Sequence, residues 1–423
     1  MLSAMSDVVI APNPWMLLPF AILLGTIALA PLWFGDWWAR QYPKLAFALG
    51  AVALGYYLFG LHAYSRVLAV AHEYLSFITL IAALFVVSGG IHISVKGEAT
   101  PLTNVLFLLI GAVLANVLGT TGASMLLIRP WIRMNKYRIT AHHIVFFIFI
   151  VSNVGGCLTP IGDPPLFLGY LKGIPFWWVA AHCWLIWATG LGILMAMFFV
   201  VDSFNFRRAP KPIREMETAS EQWRFDGLGN LFFLGVILGV VFIARPLFLR
   251  EALMVLAAIG SYYTTRKPVH EANDFSFHPI QEVAILFLGI FATMMPALDW
   301  LQGNAAKLGA PTPTFYFWGS GALSSVLDNA PTYLSFLSAL MGVAQNSEMH
   351  HLLTTQATNL VAISVGAVFF GANTYIGNGP NFMVKAIADH QNVRMPTFIG
   401  YVFRFSLPFM VPMLFFVWWL FLR

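Results

Sequence analysis

Two short polar stretches interrupt apolar runs, one in each half of the chain, and both carry side chains suited to binding a small ion. They cover residues 156–167 (GCLTPIGDPPLF) and 371–382 (GANTYIGNGPNF), and they match at six of twelve positions with an offset of 215 residues. Proline lacks a backbone donor and glycine loosens the backbone, so neither stretch continues a helix. Unwound backbone at membrane depth must line a cavity or be buried in protein. The pair therefore predicts two broken transmembrane helices around the substrate site of a secondary transporter.

Two further polar interruptions, centred on residues 119–122 and 328–331, are expected to meet these breaks near the middle of the membrane. Hydroxyl and amide side chains beside freed backbone carbonyls form an oxygen cage suited to a small ion. The candidate substrate-binding or ion-binding residues are Asn116, Thr120, Thr121, Ser152, Asn153, Thr159, Asp163, Ser325, Asp328, Asn329, Thr332, Asn373, Thr374 and Asn378, and Ser124, Ser324 and Asn381 lie in the same segments. The alternative is that these side chains only satisfy loosened backbone or join helices.

Asp163 and Asp328 stand apart because a carboxylate within a membrane costs several kcal/mol unless it faces a cavity or a partner. We expect them to hold sodium together with Asn116 and Asn329. Protonation removes the charge that holds the cation, so a proton and a cation would compete for one site. Asp328 is the stronger candidate, because Asp163 precedes two prolines and has the alternative role of capping the helix that follows.

Composition indicates a membrane protein and excludes most other classes. Hydrophobic residues make up 59% of the 423 residues, charged residues only 10%, and the mean hydropathy is +0.76. A soluble domain carries about 25% charged residues. The net charge is +5, but the sequence contains no basic run interleaved with aromatic residues, so nucleic acid is not an expected partner. Cys157 and Cys183 lack metal-ligand spacing, and no cofactor is predicted.

The elements that must position these residues follow from the apolar runs. Full crossings are predicted near residues 15–34, 44–62, 73–93, 142–170 (broken), 176–201, 228–247, 250–264, 281–300, 352–387 (broken) and 397–422. Two apolar segments, 104–133 and 314–343, have a polar interruption in their middle, and each arm is too short to cross. We interpret both segments as re-entrant helical hairpins in an all-α polytopic membrane protein.

The two halves correspond along their length. Glu73 pairs with Glu282 at an offset of 209, and so do residues 117–118 with 326–327, so the first five crossings map onto the last five. An odd number of crossings per repeat predicts inverted topology. The predicted organisation is a first repeat at 1–201, a linker at 202–226 and a second repeat at 227–423. We expect the protein in the inner (plasma) membrane of the cell. The loop charges place the linker on the cytoplasmic side and both termini on the periplasmic or extracellular side.

At these residues the sequence resembles a known family. Residues 325–331 (SVLDNAP) resemble the signature of NhaD-type sodium/proton antiporters, and the paired breaks resemble those of the ion transporter superfamily. The segment 152–167 is similar to citrate-transporter or sodium/proton-antiporter members. The resemblance implies a homodimer with a scaffold part and a transport part, the latter holding both hairpins and both broken helices and moving as an elevator. The hairpin tips depart from the paired Ser-Asn-Thr tips of the anion symporters.

The predicted function is secondary active antiport of a cation, sodium, against protons. A sodium-coupled or proton-coupled transporter of citrate, a dicarboxylate or an oxyanion such as arsenite is the first alternative, with the aspartates holding the coupling ion. A membrane-embedded enzyme is the remote alternative, because the sequence lacks zinc, nucleophile and phosphate-loop motifs. The expected partners are therefore the lipid bilayer, a small ion or carboxylate, and a second copy of the chain.

Overall fold

A computed structural model describes residues 11–95, 99–208, 224–243, 245–309, 311–344 and 349–423. Within these ranges, seven helices are long and apolar enough to cross a membrane: Pro14–Pro31, Gly35–Gly60, Tyr64–Gly89, Pro101–Met134, Trp178–Arg207, His278–Asn304 and Phe398–Phe421. Together they establish a polytopic, almost wholly helical membrane protein. The first ten residues and 209–223, which form most of the predicted linker, lie outside the described residues.

The helices follow the predicted order in both halves. The first half contains α1 (Leu18–Trp33), α2 (Gly35–Gly55), α3 (Tyr64–Gly89), α4 (Pro101–Met134), α5 (Ala141–Ile150), α6 (Pro164–Leu171) and α7 (Trp178–Arg208). The second half contains α8 (Asn230–Val240), α9 (Leu249–Thr264), α10 (Lys267–Ala272), α11 (His278–Asn304), α12 (Pro313–Ser324), α13 (Asn329–Val343), α14 (Met349–Thr355), α15 (Ala357–Phe370), α16 (Gly379–His390) and α17 (Phe398–Phe421).

Several boundaries differ from the predicted crossings. Helix α8 has 11 residues and ends at Val240, seven residues before the predicted end of that crossing. Helix α9 has the predicted bounds to within one residue, and its 16 residues, like the 11 of α8, are fewer than the roughly 20 that a full crossing needs. Helix α7 continues to Arg208, seven residues into the predicted linker. Strands β1 (His92–Ser94) and β2 (Arg224–Asp226) pair antiparallel. They join the chain before α4 to the chain before α8.

Helix α4 folds back on itself at Gly119, which we call hairpin 1. Gly119 has a φ of 74°, and a side chain there would meet the Ile161 carbonyl, so glycine suits this turn. The Phe107 and Trp131 rings stack at 5.5 Å, and the amide of Asn104 donates to that of Asn135 at 2.8 Å. Residues 31 positions apart in one straight helix would lie about 45 Å apart. The two ends of α4 therefore lie next to each other, so this segment does not cross as one straight helix although it is long and apolar enough to do so.

Helices α12 and α13 form a second folded-back pair, hairpin 2. Phe336 of α13 packs on Phe315 and Tyr316 of α12, with ring centroids 6.3 and 6.4 Å apart. Residues 325–328 connect the two helices. Helix α13 begins after Asp328, whose carboxylate accepts the Ala330 amide at 3.0 Å.

The broken helices are α5 with α6 and α15 with α16, separated by residues 151–163 and by a break from Gly371 to Asn378, each of which contains a single short 3-10 turn. Helices α1, α2, α3, α8, α9 and α11 pack mainly on one another, whereas the hairpins, broken helices, α7 and α17 pack into a second group. The two groups meet where α11 packs on α13 and α3 packs on α4. The breaks thus lie inside the second group.

Candidate functional site

The Asp163 carboxylate is the point at which both hairpins and both breaks meet. It accepts the Thr120 hydroxyl of hairpin 1 at 2.7 Å, the Asn329 amide of hairpin 2 at 2.5 Å and the Asn378 amide of the second break at 3.1 Å. Asp163 is only 1% exposed. Its three hydrogen-bond partners carry no charge, so their N–H and O–H dipoles stabilise a buried carboxylate without neutralising it. We call these four residues the junction.

Local sequence explains why the carboxylate is free to face the other elements. Asp163 stands before α6, but its side chain accepts no hydrogen bond from that helix. Pro164 and Pro165 have no backbone N–H, which removes two of the donors that a helix cap would use. The predicted alternative, in which Asp163 caps α6, is therefore not the geometry observed.

Asp328, and not Asp163, has its carboxylate in a helix cap. It is half-buried, and its carboxylate caps α13 through the Ala330 amide. Its neighbour Asn329 is fully buried and makes the contact with Asp163. In the structure it is thus Asp163, and not Asp328, on which both hairpins and both breaks converge. Thr332, also on α13, donates to the Asp328 carbonyl at 3.0 Å and so serves its own helix.

Each break is fastened to the tip of one hairpin by the same pair of bonds. Thr159 donates to the Asn116 carbonyl at 2.6 Å and accepts the Gly162 amide at 3.0 Å. In the second half, Thr374 donates to the Ser325 carbonyl at 2.6 Å and accepts the Gly377 amide at 3.1 Å. The threonines differ by 215 positions and the hairpin residues by 209, the offsets read from the sequence.

The side chains of Asn116 and Asn373 hold the same loops. Asn116 donates to the Gly155 carbonyl at 2.7 Å and accepts the Leu158 amide at 2.9 Å, so its oxygen is already occupied. Asn373 donates to the Ser325 hydroxyl at 2.9 Å, and its side-chain oxygen Oδ1 is buried without a partner in the part of the chain that the structure describes. Asn116, a predicted sodium ligand, thus serves the break.

The other predicted residues surround the junction. The Ser152 hydroxyl lies 2.8 Å from that of Ser124, and the Ser152 carbonyl accepts from Asn378. Asn153 accepts from Asn378 at 3.2 Å. Thr121 is half-buried on the wall of a small cavity beside Gly119 and Pro160 and is not among the partners of Asp163. The structure therefore brings Thr120, Asn329 and Asn378 onto Asp163, with Ser152 and Asn153 one contact further away.

A family model described as "Putative citrate transport" matches residues 11–422. The chain belongs to this family. It is also similar to a 46 kDa membrane protein of Mycobacterium leprae (strain TN), with 24% identity over 315 residues that cover 69% of this chain and 71% of the relative. The resemblance to citrate transporters of the ion transporter superfamily is thereby confirmed, as is the prediction of a multi-pass membrane protein.

In this citrate-transporter family member, one ligand oxygen at the junction is uncommitted. The Asn329 amide donates through its Nδ2 to Asp163, while its Oδ1 is buried and has no hydrogen-bond partner among the described residues. A buried carbonyl oxygen without a donor costs about 1–3 kcal/mol. A carboxylate and an amide oxygen on adjacent side chains are the ligand types that hard cations prefer.

A second buried polar cluster lies at the open end of hairpin 1, and no sequence pattern predicted it. Asp202 of α7 is fully buried and pairs with the Arg138 guanidinium, while His143 approaches to 3.0 Å and the Asn104 amide donates at 2.9 Å. His142, His143 and Asp202 bring potential metal-ligand atoms within 4.8 Å of one another. However, the guanidinium contacts both carboxylate oxygens and repels a metal cation. We therefore interpret this Arg138–Asp202 cluster as a clamp.

Several aromatic and hydroxyl side chains support the breaks from outside the predicted motifs. The Trp187 indole donates to the Gly155 carbonyl at 3.0 Å, the Tyr401 hydroxyl to the Ala372 carbonyl at 2.9 Å and the Ser406 hydroxyl to the Asn373 carbonyl at 2.7 Å. These bonds satisfy carbonyls that the interrupted helices leave free. No motif in the sequence marks them, because each lies on a helix that is distant from the break along the chain, Ser406 in a π-helical stretch of α17.

Proposed function

We propose that the protein exchanges sodium for protons, with the Asp163 carboxylate as the site for which the two ions compete. The observation that carries the proposal is the meeting of four elements on one buried carboxylate with uncharged donors and a free amide oxygen beside it. A binding centre between paired helix breaks is typical of secondary transporters. The transporter family of the chain agrees with this class of function.

The chemistry of exchange follows from the junction. Thr120, Asn329 and Asn378 donate to the carboxylate and thereby lower the cost of keeping its charge in a poorly hydrated site. A sodium ion would bind this charge together with the Asn329 oxygen. A proton bound to the carboxylate removes the charge, and sodium loses its main ligand. Each ion therefore displaces the other, and two opposed gradients are coupled through one group.

We also propose that the halves are inverted repeats and that the second group of helices moves as a unit against the first. The matched bonds of Thr159 and Thr374, at the offsets that relate the repeats, support the first part. Support for the second part is the packing of both hairpins and both breaks into one group. By resemblance, the first group would form the scaffold and carry the contact between the two subunits of a homodimer.

Uptake of citrate or another small carboxylate is the second candidate, and the family description favours it. In that case Asp163 would hold the coupling ion, and the substrate would bind through neutral donors nearby. A second negative charge next to Asp163 would be repelled unless the cation is already in place. This candidate therefore requires citrate uptake that depends on sodium or on protons.

The deciding experiment measures transport in proteoliposomes with imposed sodium and pH gradients. We expect proton movement driven by sodium in the wild type and a loss of at least about 100-fold in Asp163→Asn, because the amide keeps the shape but does not bind a proton or a cation as a carboxylate does. Asp389→Asn is the control, since Asp389 forms a partly exposed ion pair with Lys385 outside the junction. Undiminished exchange in Asp163→Asn would refute the assignment.

Citrate, succinate and arsenite are added in parallel as substrates. Uptake of any of them with sodium, without proton exchange in their absence, would favour the second candidate. Thermal unfolding of each variant shows whether a loss of transport comes from misfolding.

A further inference from the structure

Three buried asparagines form a chain of hydrogen bonds that ends on Asp163. The Asn381 oxygen accepts Nδ2 of Asn153 at 2.7 Å, the Asn153 oxygen accepts Nδ2 of Asn378 at 3.2 Å, and the Asn378 amide donates to Asp163 at 3.1 Å. All three asparagines are at most 2% exposed. We call Asn381, Asn153 and Asn378 the amide chain. It links the start of α16 to the junction through both breaks.

Backbone carbonyls fix the direction of every amide in this chain. Nδ2 of Asn381 also donates to the carbonyls of Gly371 and Thr374, at 2.8 and 2.9 Å. Nδ2 of Asn153 also donates to Ile148 at 2.8 Å. Rotating either amide by half a turn would place its oxygen against a carbonyl oxygen and leave buried groups unpaired, at about 1–3 kcal/mol per group.

The direction of the last amide matters because Asp163 accepts and does not donate when it is ionised. Nδ2 of Asn378 is held by the Ser152 carbonyl at 3.1 Å and by the oxygen of Asn153. The oxygen of Asn153 is available because its nitrogen faces two acceptors, the Ile148 carbonyl and the Asn381 oxygen. If Asn381 is removed, Asn153 loses one of the two acceptors that orient it. A less well oriented Asn153 oxygen in turn weakens one of the contacts that direct the Asn378 N–H groups, one of which bonds the carboxylate.

We propose that Asn381 is a positioning residue for the ion site: it does not touch Asp163, but it sets the orientation of Asn153 and, through it, of Asn378. The inference rests on the proposed function, because it assigns Asn381 to the affinity of the Asp163 site for its cation. The counterpart of Asn381 in the first half is Leu166, so the second half alone has this residue. The amide chain therefore acts on Asp163 from one side.

The test compares the KM for sodium with the maximal rate in Asn381→Ala, Asn153→Ala and the double variant, reconstituted in proteoliposomes. We expect each single variant to raise the sodium KM about tenfold with a maximal rate within about twofold, because a hydrogen bond to a charged group is weakened. The double variant should resemble the single ones, since both act through Asn378. Asn381→Gln keeps the C=O acceptor and the NH2 donor of the side-chain amide and should restore part of the sodium affinity. It serves as the second variant if alanine prevents folding.

Ser364→Ala is the matched control. Ser364 is buried on α15 of the same broken helix and donates to the Leu360 carbonyl at 2.8 Å, outside the amide chain. Its removal should leave the sodium KM unchanged. A purely structural role for Asn381 predicts a lower unfolding temperature with an unchanged KM, and that result would overturn the proposal.

The wild-type measurement separates this inference from the proposed function. A wild type whose transport of protons or carboxylates shows no dependence on sodium would refute both. A sodium-dependent wild type with additive effects of the two alanine variants, or with none, would refute only the role of Asn381.

Discussion

The first and second breaks have nearly the same backbone conformation at the residue before the second half-helix, but that residue carries a different side chain in each break. Asp163 and Asn378 both stand before a helix, with φ and ψ of −144° and 142° in the first and −153° and 141° in the second. The side chain is a carboxylate in one half and an amide in the other, and the amide donates to the carboxylate. Related geometry thus supplies both a charge and the group that stabilises it.

The hairpin tips also present different side chains at equivalent positions. Thr120 and Asn329 are equivalent at the offset of 209, and both donate to Asp163. Two halves that were equal in chemistry would place two carboxylates about 3 Å apart, where both could not be ionised at once. A single charge with three donors avoids that cost. The asymmetry of the halves therefore leaves a single carboxylate where the two related breaks meet, and this is the ion site that we propose.

The strongest way to break the comparison is to exchange the two side chains. Asn378→Asp alone should reduce sodium/proton exchange at least tenfold, because it places a second carboxylate beside Asp163 and removes a donor. The double exchange, Asp163→Asn with Asn378→Asp, should recover more transport than Asp163→Asn alone, since the backbone presents both positions alike. Transport in proteoliposomes measures both. A double variant as inactive as Asp163→Asn would show that the two positions are not interchangeable.

The clamp at the open end of hairpin 1 also exists in one half only. Asp202 corresponds to Val417, a fully buried apolar residue. Asp202→Asn should lower the free energy of unfolding by about 3–5 kcal/mol, because Arg138 remains as an uncompensated buried charge. Arg138→Met with Asp202→Val should recover much of this loss. Chemical denaturation in detergent measures the effect, and an Asp202→Asn protein of wild-type stability would exclude the clamp.

Two threonines near the junction separate binding from helix stability. Thr120→Val removes the donor at 2.7 Å from Asp163 and should raise the sodium KM about tenfold. Thr332→Val removes a bond to the carbonyl of Asp328 within α13 and should leave the KM within about twofold. Kinetic measurements at several sodium concentrations distinguish them. Equal shifts in both variants would contradict the central position of Asp163.

The smallest effect is expected at the pair Glu73 and Glu282. Glu73 of α3 bonds Lys172, just after α6, at 2.6 Å, whereas the counterpart of Lys172 in the second half is Ile387. This partly exposed ion pair joins the two groups of helices in one half only. Glu73→Gln should cost no more than about 1 kcal/mol of stability. Comparison with Glu282→Gln by thermal unfolding sharpens the result, and a larger loss in Glu282→Gln would reverse the comparison.

The sequence by itself determined the features that depend on local chemistry. Hydropathy defines a membrane protein, glycine and proline mark the two breaks and the fold-back at Gly119, and the offsets of 209 and 215 relate the halves. These features are local because proline and glycine act on their own backbone. Helix ends were less predictable, as α7 and α8 show, since packing against neighbours decides where a helix stops.

Only the tertiary structure decided which aspartate occupies the junction. The donors to Asp163 lie 43, 166 and 215 residues away in the chain, so no local pattern distinguishes it from Asp328. The clamp of Arg138 and Asp202 and the amide chain from Asn381 were likewise decided by elements brought together from distant positions. The physical reason is that burial and hydrogen bonding of a polar group depend on the partners that folding supplies, whereas sequence fixes only the groups available.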